Sequence, residues 1–151
     1  MFKLSTKGRY GLRSLLDLAL YIDKSPIPLS VVAKRQNISL GYLEQVFSTL
    51  KKADLVKSVK GAHGGYSLSK SPSDISIAQV LEALEGDIVI IEDSAGENEQ
   101  EISAVKKCLQ INVWDKLNNS VVKLTKSLTL NDLIEDYKKN DNEKFLLEWN
   151  V

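Results

Sequence analysis

Apolar residues in the first third of the chain recur at the spacing of helices that bury one face. Tyr10, Leu12, Leu15, Leu16, Leu18, Ala19 and Ile22 form one broad stripe. They predict a helix capped by Ser5 or Thr6 and running to about Tyr21. Asp23-Lys24-Ser25-Pro26 ends it, because the residue before a proline is pushed out of the helical region. A short helix over about Ser30–Gln36 comes next, burying Leu29, Val32 and Ala33, and Asn37-Ile38-Ser39 reads as a tight turn. Ser39 then caps a third helix, about Leu40–Ala53, with Leu43, Val46, Phe47 and Leu50 turned inward.

The period then changes. Leu55–Lys60 and Tyr66–Ser69 are short stretches with β-branched and aromatic residues, and Gly61-Ala62-His63-Gly64-Gly65 between them supplies the freedom of a hairpin tip. Three helices, the last two joined by a short turn, followed by a hairpin, make a winged helix-turn-helix. Ser76-Ile77-Ala78-Gln79 opens a fourth helix through a capping box, and Gly86 stops it after about Leu84.

From Asp87 to Glu101 there are six acidic residues and no basic one, which predicts an exposed loop. Val105, Leu109, Val113, Leu117, Val121, Leu124 and Leu128 then predict a helix from about Ser103 to Ser127. At 1.5 Å per residue it would span about 38 Å, more than so small a domain needs. The excess predicts pairing with a second copy through Leu109, Val113, Leu117, Val121 and Leu124. Thr129 caps a last helix, TLNDLIEDYKK, and the apolar tail Phe145, Leu146, Leu147 and Trp149 is expected to dock. The expected fold is therefore mainly α with a small β-wing. A DNA-binding domain covers residues 1–85, an acidic loop 86–101, dimerisation helices 102–140 and a tail 141–151.

Charge sharpens this picture. Residues 1–75 carry 12 Lys or Arg against 5 Asp or Glu, whereas residues 76–151 carry 8 against 15. A net of +7 followed by −7 predicts a basic face for a polyanion and a separate acidic module, although a dipolar globular protein without a nucleic-acid partner has the same composition. No window reaches the roughly 18 uncharged apolar residues of a membrane span, and the N-terminal stretch mixes charges into its apolar pattern. A cytoplasmic, membrane-free protein is expected. The single cysteine, Cys108, excludes an intrachain disulfide, and with His63 it is the only soft ligand, so neither metal nor cofactor is expected.

On the third helix the outward positions Ser39, Gly41, Tyr42, Glu44, Gln45 and Ser48 are candidates for the major groove. Gln pairs with adenine, Glu accepts from cytosine, and Tyr42 can reach a phosphate or a sugar. Lys3, Lys7, Arg9, Lys51, Lys52, Lys57 and Lys60 can supply phosphate charge, and His63 at the wing tip can reach the minor groove or the backbone. An adaptor that uses the winged helix only for protein contacts is the rival reading. An enzyme is not expected: no nucleophile with a base and orienting group and no phosphate-binding glycine loop is present.

STKGRYGLRSLLDLA, SLGYLEQVFSTLKKADLVKSVKG, GAHGGYSLSKSP, VLEALEG and VWDKLNNSVVKLTKSLTLNDLI occur in this order. Together, over roughly residues 1–136, they resemble the Rrf-type family of bacterial winged-helix regulators that contains IscR, NsrR and CymR. The resemblance implies a homodimeric transcription factor, usually a repressor, crossing over through its long C-terminal helix. It places Tyr42, Glu44 and Gln45 on the recognition helix, Gly61, His63, Gly64, Gly65 and Tyr66 in the wing, and Ser5, Thr6, Lys7 and Arg9 beside the phosphate backbone.

Many members hold an iron–sulphur cluster with three cysteines spaced six apart. Cys108 matches the last, while Gly96 and Ile102 stand at the other two and Ile111 where a histidine ligand occurs. The resemblance therefore leans toward the cluster-free branch typified by the regulator of cysteine metabolism. That branch implies repression of sulphur-uptake and cysteine-synthesis genes, with O-acetylserine sulfhydrylase (cysteine synthase) as a protein corepressor. Cys108 itself reads either as an inert helix residue near the dimer seam or as a reversible thiol sensor, the latter in a redox-responsive regulator of iron–sulphur assembly genes.

Overall fold

A computed structural model of the chain describes residues 4–89 and 103–149, with side chains through residue 142. Three helices come first: α1 (Thr6–Leu20), α2 (Leu29–Gln36) and α3 (Leu40–Lys52). A hairpin of β1 (Val56–Val59) and β2 (Gly65–Leu68) follows, then α4 (Ile77–Glu85). Beyond the undescribed stretch lie α5 (Ala104–Leu109), α6 (Asp115–Ser127) and α7 (Leu130–Trp149).

Local chemistry sets most of these starts. Ser5, Ser39 and Ser103 each accept a hydrogen bond from the backbone three residues on, at 3.3, 3.3 and 3.1 Å. Ser76 and Gln79 cap each other reciprocally, as do Thr129 and Asp132. Helix α2 stops where Asn37 turns left-handed, at φ 53°, and the Ile38 amide bonds back to the Ala33 carbonyl at 3.0 Å. Asparagine tolerates that region better than most residues. The turn between α2 and α3 is thus the three residues Asn37, Ile38 and Ser39.

The apolar faces meet as expected. Leu15, Leu18, Val32, Leu43, Val46, Phe47 and Leu50 are buried together, closed beneath by Val80, Leu81 and Leu84 of α4. In the wing, β1 and β2 pair antiparallel with Val56 opposite Leu68 and Val59 opposite Gly65. Ile27 adds a bridge that the sequence pattern does not show: it exchanges backbone hydrogen bonds with Tyr66 at 2.9 and 2.8 Å. Gly65 makes room for it, since a Cβ there would lie 2.3 Å from the Ile27 carbonyl oxygen.

Two features lie beyond what the sequence pattern shows. The helix expected over Ser103–Ser127 runs unbroken from Ala104 but contains a π-helical turn, Gln110–Trp114, where the Asp115 amide bonds to the Gln110 carbonyl. The wider turn rotates less per residue than an α-helix, so it offsets part of the drift that a run of apolar residues spaced by four builds up. The last helix, second, starts inside the first domain's core. Leu130 and Ile134 are buried with α1 and α4, and Leu130 bonds to the Ile75 carbonyl at 2.9 Å. Apolar periodicity does not show this contact, because it says which face is buried and not against what. Of the expected acidic loop only residues 86–89 fall within the described residues. The tail's backbone is helical to Trp149, whereas docking of Phe145, Leu146, Leu147 and Trp149 lies outside the described side chains.

Candidate nucleic-acid interface

The first turn of α1 and the start of α3 face each other across a shallow open cleft lined by Thr6, Tyr10, Asn37, Ile38, Ser39 and Tyr42. Tyr42 is half-buried here, its ring edge-on to Tyr10 with centroids 6.2 Å apart. The Arg13 guanidinium covers the other ring, 4.6 Å from the Tyr10 centroid, and donates to the Gln36 carbonyl. The aromatic pair fixes the distance between the two helix starts. Along the outward face of α3, Ser39, Gly41, Glu44, Gln45, Ser48 and Lys51 are all exposed. Leu40 is exposed as well, an apolar side chain that the amphipathic pattern alone would place inward.

At the wing, Lys60, Gly61 and His63 are exposed, and the Gly64 amide closes the tip onto the Gly61 carbonyl at 3.0 Å. Gly61 takes φ 112°, and a Cβ on Gly64 would strike the Val59 carbonyl oxygen at 2.2 Å. Two of the tip's glycines are therefore required by its backbone. Gly64, Gly65 and Tyr66 are half-buried. The Tyr66 ring stands edge-on to Phe47 at 5.2 Å, which gives it a packing role in the wing's base. Lys51 is occupied too: its Nζ donates to Ser58 Oγ at 2.7 Å and ties the end of α3 to β1.

Thr6 and Arg9 are exposed and Lys7 is half-exposed on the first turns of α1. Ser5 is already engaged by a residue that the sequence reading passes over. One oxygen of Glu85, at the end of α4, accepts from the Ser5 amide at 3.1 Å, the Gly8 amide at 2.9 Å and the Ser5 hydroxyl. Gly8 and Gly11 are buried because α4 lies close against them. A Cβ would sit 2.2 Å from Glu85 Oε1 in the first case and 2.4 Å from Leu84 Cδ1 in the second.

Along the helix over 103–127, Val105, Leu109, Leu117 and Leu124 are exposed large apolar residues, Leu124 to 63% and Val105 to 71%, while Val113 and Val121 are half-buried. Cys108 is exposed on α5, with Asn112 donating to its carbonyl at 2.8 Å. No group of three His, Cys, Asp or Glu among the described residues is placed to hold a metal ion. The residues present do not fit the iron–sulphur cluster that the resemblance raises. One thiolate per chain gives two in a dimer, where a cluster is normally held by four ligands, and Ile111, three residues past Cys108, offers only an exposed alkyl group.

A trihelical core, a recognition helix with its polar first turns exposed and a glycine-tipped wing define a DNA-binding transcriptional regulator of the winged helix-turn-helix type. The chain belongs to the Rrf2 family, described as iron-dependent transcriptional regulators, whose model matches residues 4–136. This is a family of DNA-binding regulators and not of enzymes. The HTH-type transcriptional regulator IscR of Vibrio atlanticus is 38% identical over 134 residues, covering 89% of this chain and 76% of the relative. The structure of CymR, the global cysteine regulator of B. subtilis, superposes with a TM-score of 0.76 at 36% identity, covering 89% of this chain and 98% of that one. T. potens IscR superposes with a TM-score of 0.72 at 37% identity, covering 92% and 90%. No helix among the described residues is long and apolar enough to cross a membrane.

Proposed function

We propose that the chain is a homodimeric, sequence-specific repressor of cysteine and sulphur metabolism genes that works without an iron–sulphur cluster. The ligand count carries the reading: Cys108 is the one cysteine, and Gly96, Ile102 and Ile111 occupy the positions where cluster-binding relatives place ligands. Similarity to a global cysteine regulator over nearly all of that protein's length supports the same branch. The exposed apolar residues of α5 and α6 supply a surface for a second copy. DNA is met by Glu44 and Gln45 reading bases while Thr6, Lys7, Arg9, Lys60 and the wing tip hold phosphates. O-acetylserine sulfhydrylase is the proposed corepressor.

Mapping binding sites in the native cell, then titrating a recovered operator with and without O-acetylserine sulfhydrylase, tests this. Sites upstream of sulphur-uptake genes, bound more tightly with the enzyme present, are expected. Sites confined to iron–sulphur assembly genes would overturn the reading in favour of a second one, a thiol-responsive regulator acting through Cys108. That alternative draws on the similarity to IscR and on the exposure of Cys108.

A further inference from the structure

We infer that Glu85 is a positioning residue for the DNA interface: its carboxylate holds the first turn of α1 in the frame from which Thr6, Lys7 and Arg9 meet the phosphates. The inference rests on the DNA-binding reading above and adds a residue to it. A helix start leaves its first amides without partners inside the helix. In α1 the amides of Ser5 and Gly8 and the Ser5 hydroxyl all converge on one oxygen of Glu85. A negative charge there is also favoured by the helix dipole. The partner lies 77 residues away from Gly8 in sequence, so this is a tertiary clamp added to the local cap that the Ser5 hydroxyl gives the Gly8 amide.

The clamp is built on both sides. Gly8 has no side chain, and any Cβ there would collide with the carboxylate. Glu85 is the last residue of α4 before Gly86, whose φ of 85° turns the chain away, and Leu84 is buried in the core, which fixes the helix carrying the carboxylate. Across the cleft from the clamped turn stands the start of α3, braced by Tyr10 against Tyr42. Glu85 thereby sets where the phosphate-facing turn sits relative to the base-reading one. It touches no base or phosphate in this role; it acts through Ser5 and Gly8.

A double-mutant cycle on the full chain separates positioning from a loss of stability. Fluorescence anisotropy would measure operator and scrambled duplex binding at several salt concentrations for wild type, Lys7→Ala, Glu85→Ala and the pair. Lys7→Ala alone should weaken both duplexes and reduce the slope of log affinity against log salt by up to about 1. In the Glu85→Ala background the same substitution should cost little, because the lysine is already misplaced. Glu85→Gln, which keeps an acceptor oxygen, should retain a larger part of the Lys7 effect.

Full additivity, with Lys7→Ala equally costly in both backgrounds, would overturn the inference. A Gln45→Ala control should stay additive with Glu85→Ala, so that the coupling is confined to Lys7; a general loss of folded protein would leave both pairs additive. Wild type that binds no duplex would instead sink the DNA-binding reading itself.

Discussion

Arg35 reaches from α2 to α1 and closes on Asp17 with two nitrogens, Nε at 3.1 Å from both carboxylate oxygens and Nη2 at 2.5 Å from one. Asp17 is 4% exposed, and Gln36 donates to its other oxygen at 2.7 Å. The guanidinium plane lies 4.0 Å from the Tyr21 ring centroid. The hydrogen bond to Asp17 raises the arginine pKa further, so the guanidinium stays charged. Fork-to-fork geometry of this kind fixes direction as well as distance. It sets the crossing of α2 over α1, and with it the platform on which α3 turns.

Removing the cation should therefore leave a buried carboxylate with only Gln36 to satisfy it. Arg35→Ala is expected to destabilise the fold by about 3 kcal/mol, the lower end for a broken buried pair because the arginine is itself part-exposed. Urea denaturation followed by circular dichroism measures this. A change below about 0.5 kcal/mol, the size of an ordinary exposed pair, would show that water already screens the interaction.

Gly11→Ala offers a test with an unusual sign. Alanine favours helix over glycine by about 1 kcal/mol, yet its Cβ would stand 2.4 Å from Leu84 Cδ1 and 3.2 Å from Val46 Cγ1. Overpacking of this kind costs about 1–3 kcal/mol, so the melting temperature should fall. Leu84→Ala alone should also lower it, and the double variant should lose less than the two single losses combined. A rise in melting temperature for Gly11→Ala alone would mean that α4 moves away freely.

Charges placed on the exposed apolar residues of the long helix should prevent pairing. Leu117→Asp with Leu124→Asp is expected to halve the mass seen by light scattering while leaving helix content unchanged, since neither residue is in the protomer's core. Operator affinity should drop with it, because two linked half-sites bind more tightly than one. Wild type of single-chain mass at micromolar concentration would contradict the dimer outright.

Protein purified without oxygen should contain no stoichiometric iron and no acid-labile sulphide. The expectation follows from one cysteine per chain and from the absence, among the described residues, of any His, Cys, Asp or Glu group placed to hold a metal. Elemental analysis together with the visible absorption spectrum decides it, and a coloured protein with iron at a fixed ratio would refute it.

Base reading and phosphate binding should separate on α3 and α1. Gln45→Ala is expected to leave the salt slope nearly unchanged and to lower discrimination at one base pair by about 1–3 kcal/mol if the contact is bidentate. Arg9→Ala should weaken all duplexes alike and reduce the slope by up to about 1. Glu44→Ala should relax sequence choice while strengthening nonspecific binding, because its carboxylate repels phosphates. Equal losses on operator and scrambled DNA for Gln45→Ala would assign that side chain to positioning.

Much of the architecture was legible because its signals are local. Ser5, Ser39 and Ser76 announce helix starts within four residues, and the inward spacing of Leu43, Val46, Phe47 and Leu50 matches their burial. What escaped is long-range or carried by backbone. Nothing near Glu85 shows that it meets Ser5 and Gly8, since the contact is made only after α4 folds against α1. The π-helical turn at Gln110–Trp114 is a slip in hydrogen-bond register, which leaves no mark on composition. A single bridge at Ile27 is too short to show a period. Asp17 did offer a usable clue: a carboxylate one residue before Leu18, on a helix otherwise buried along that side, demands a cationic partner.

The bond from Lys51 to Ser58, with Tyr66 braced on Phe47, joins the recognition helix and the wing into one piece. The span between them is then set by the protein, and a duplex that meets both must match that span with its own groove widths. Any mismatch is taken up as bending or twisting of the DNA, whose stiffness varies from step to step. Operators would consequently be sorted partly by how readily the base pairs between helix and wing deform. Flexible pyrimidine–purine steps would gain there without being touched by any side chain.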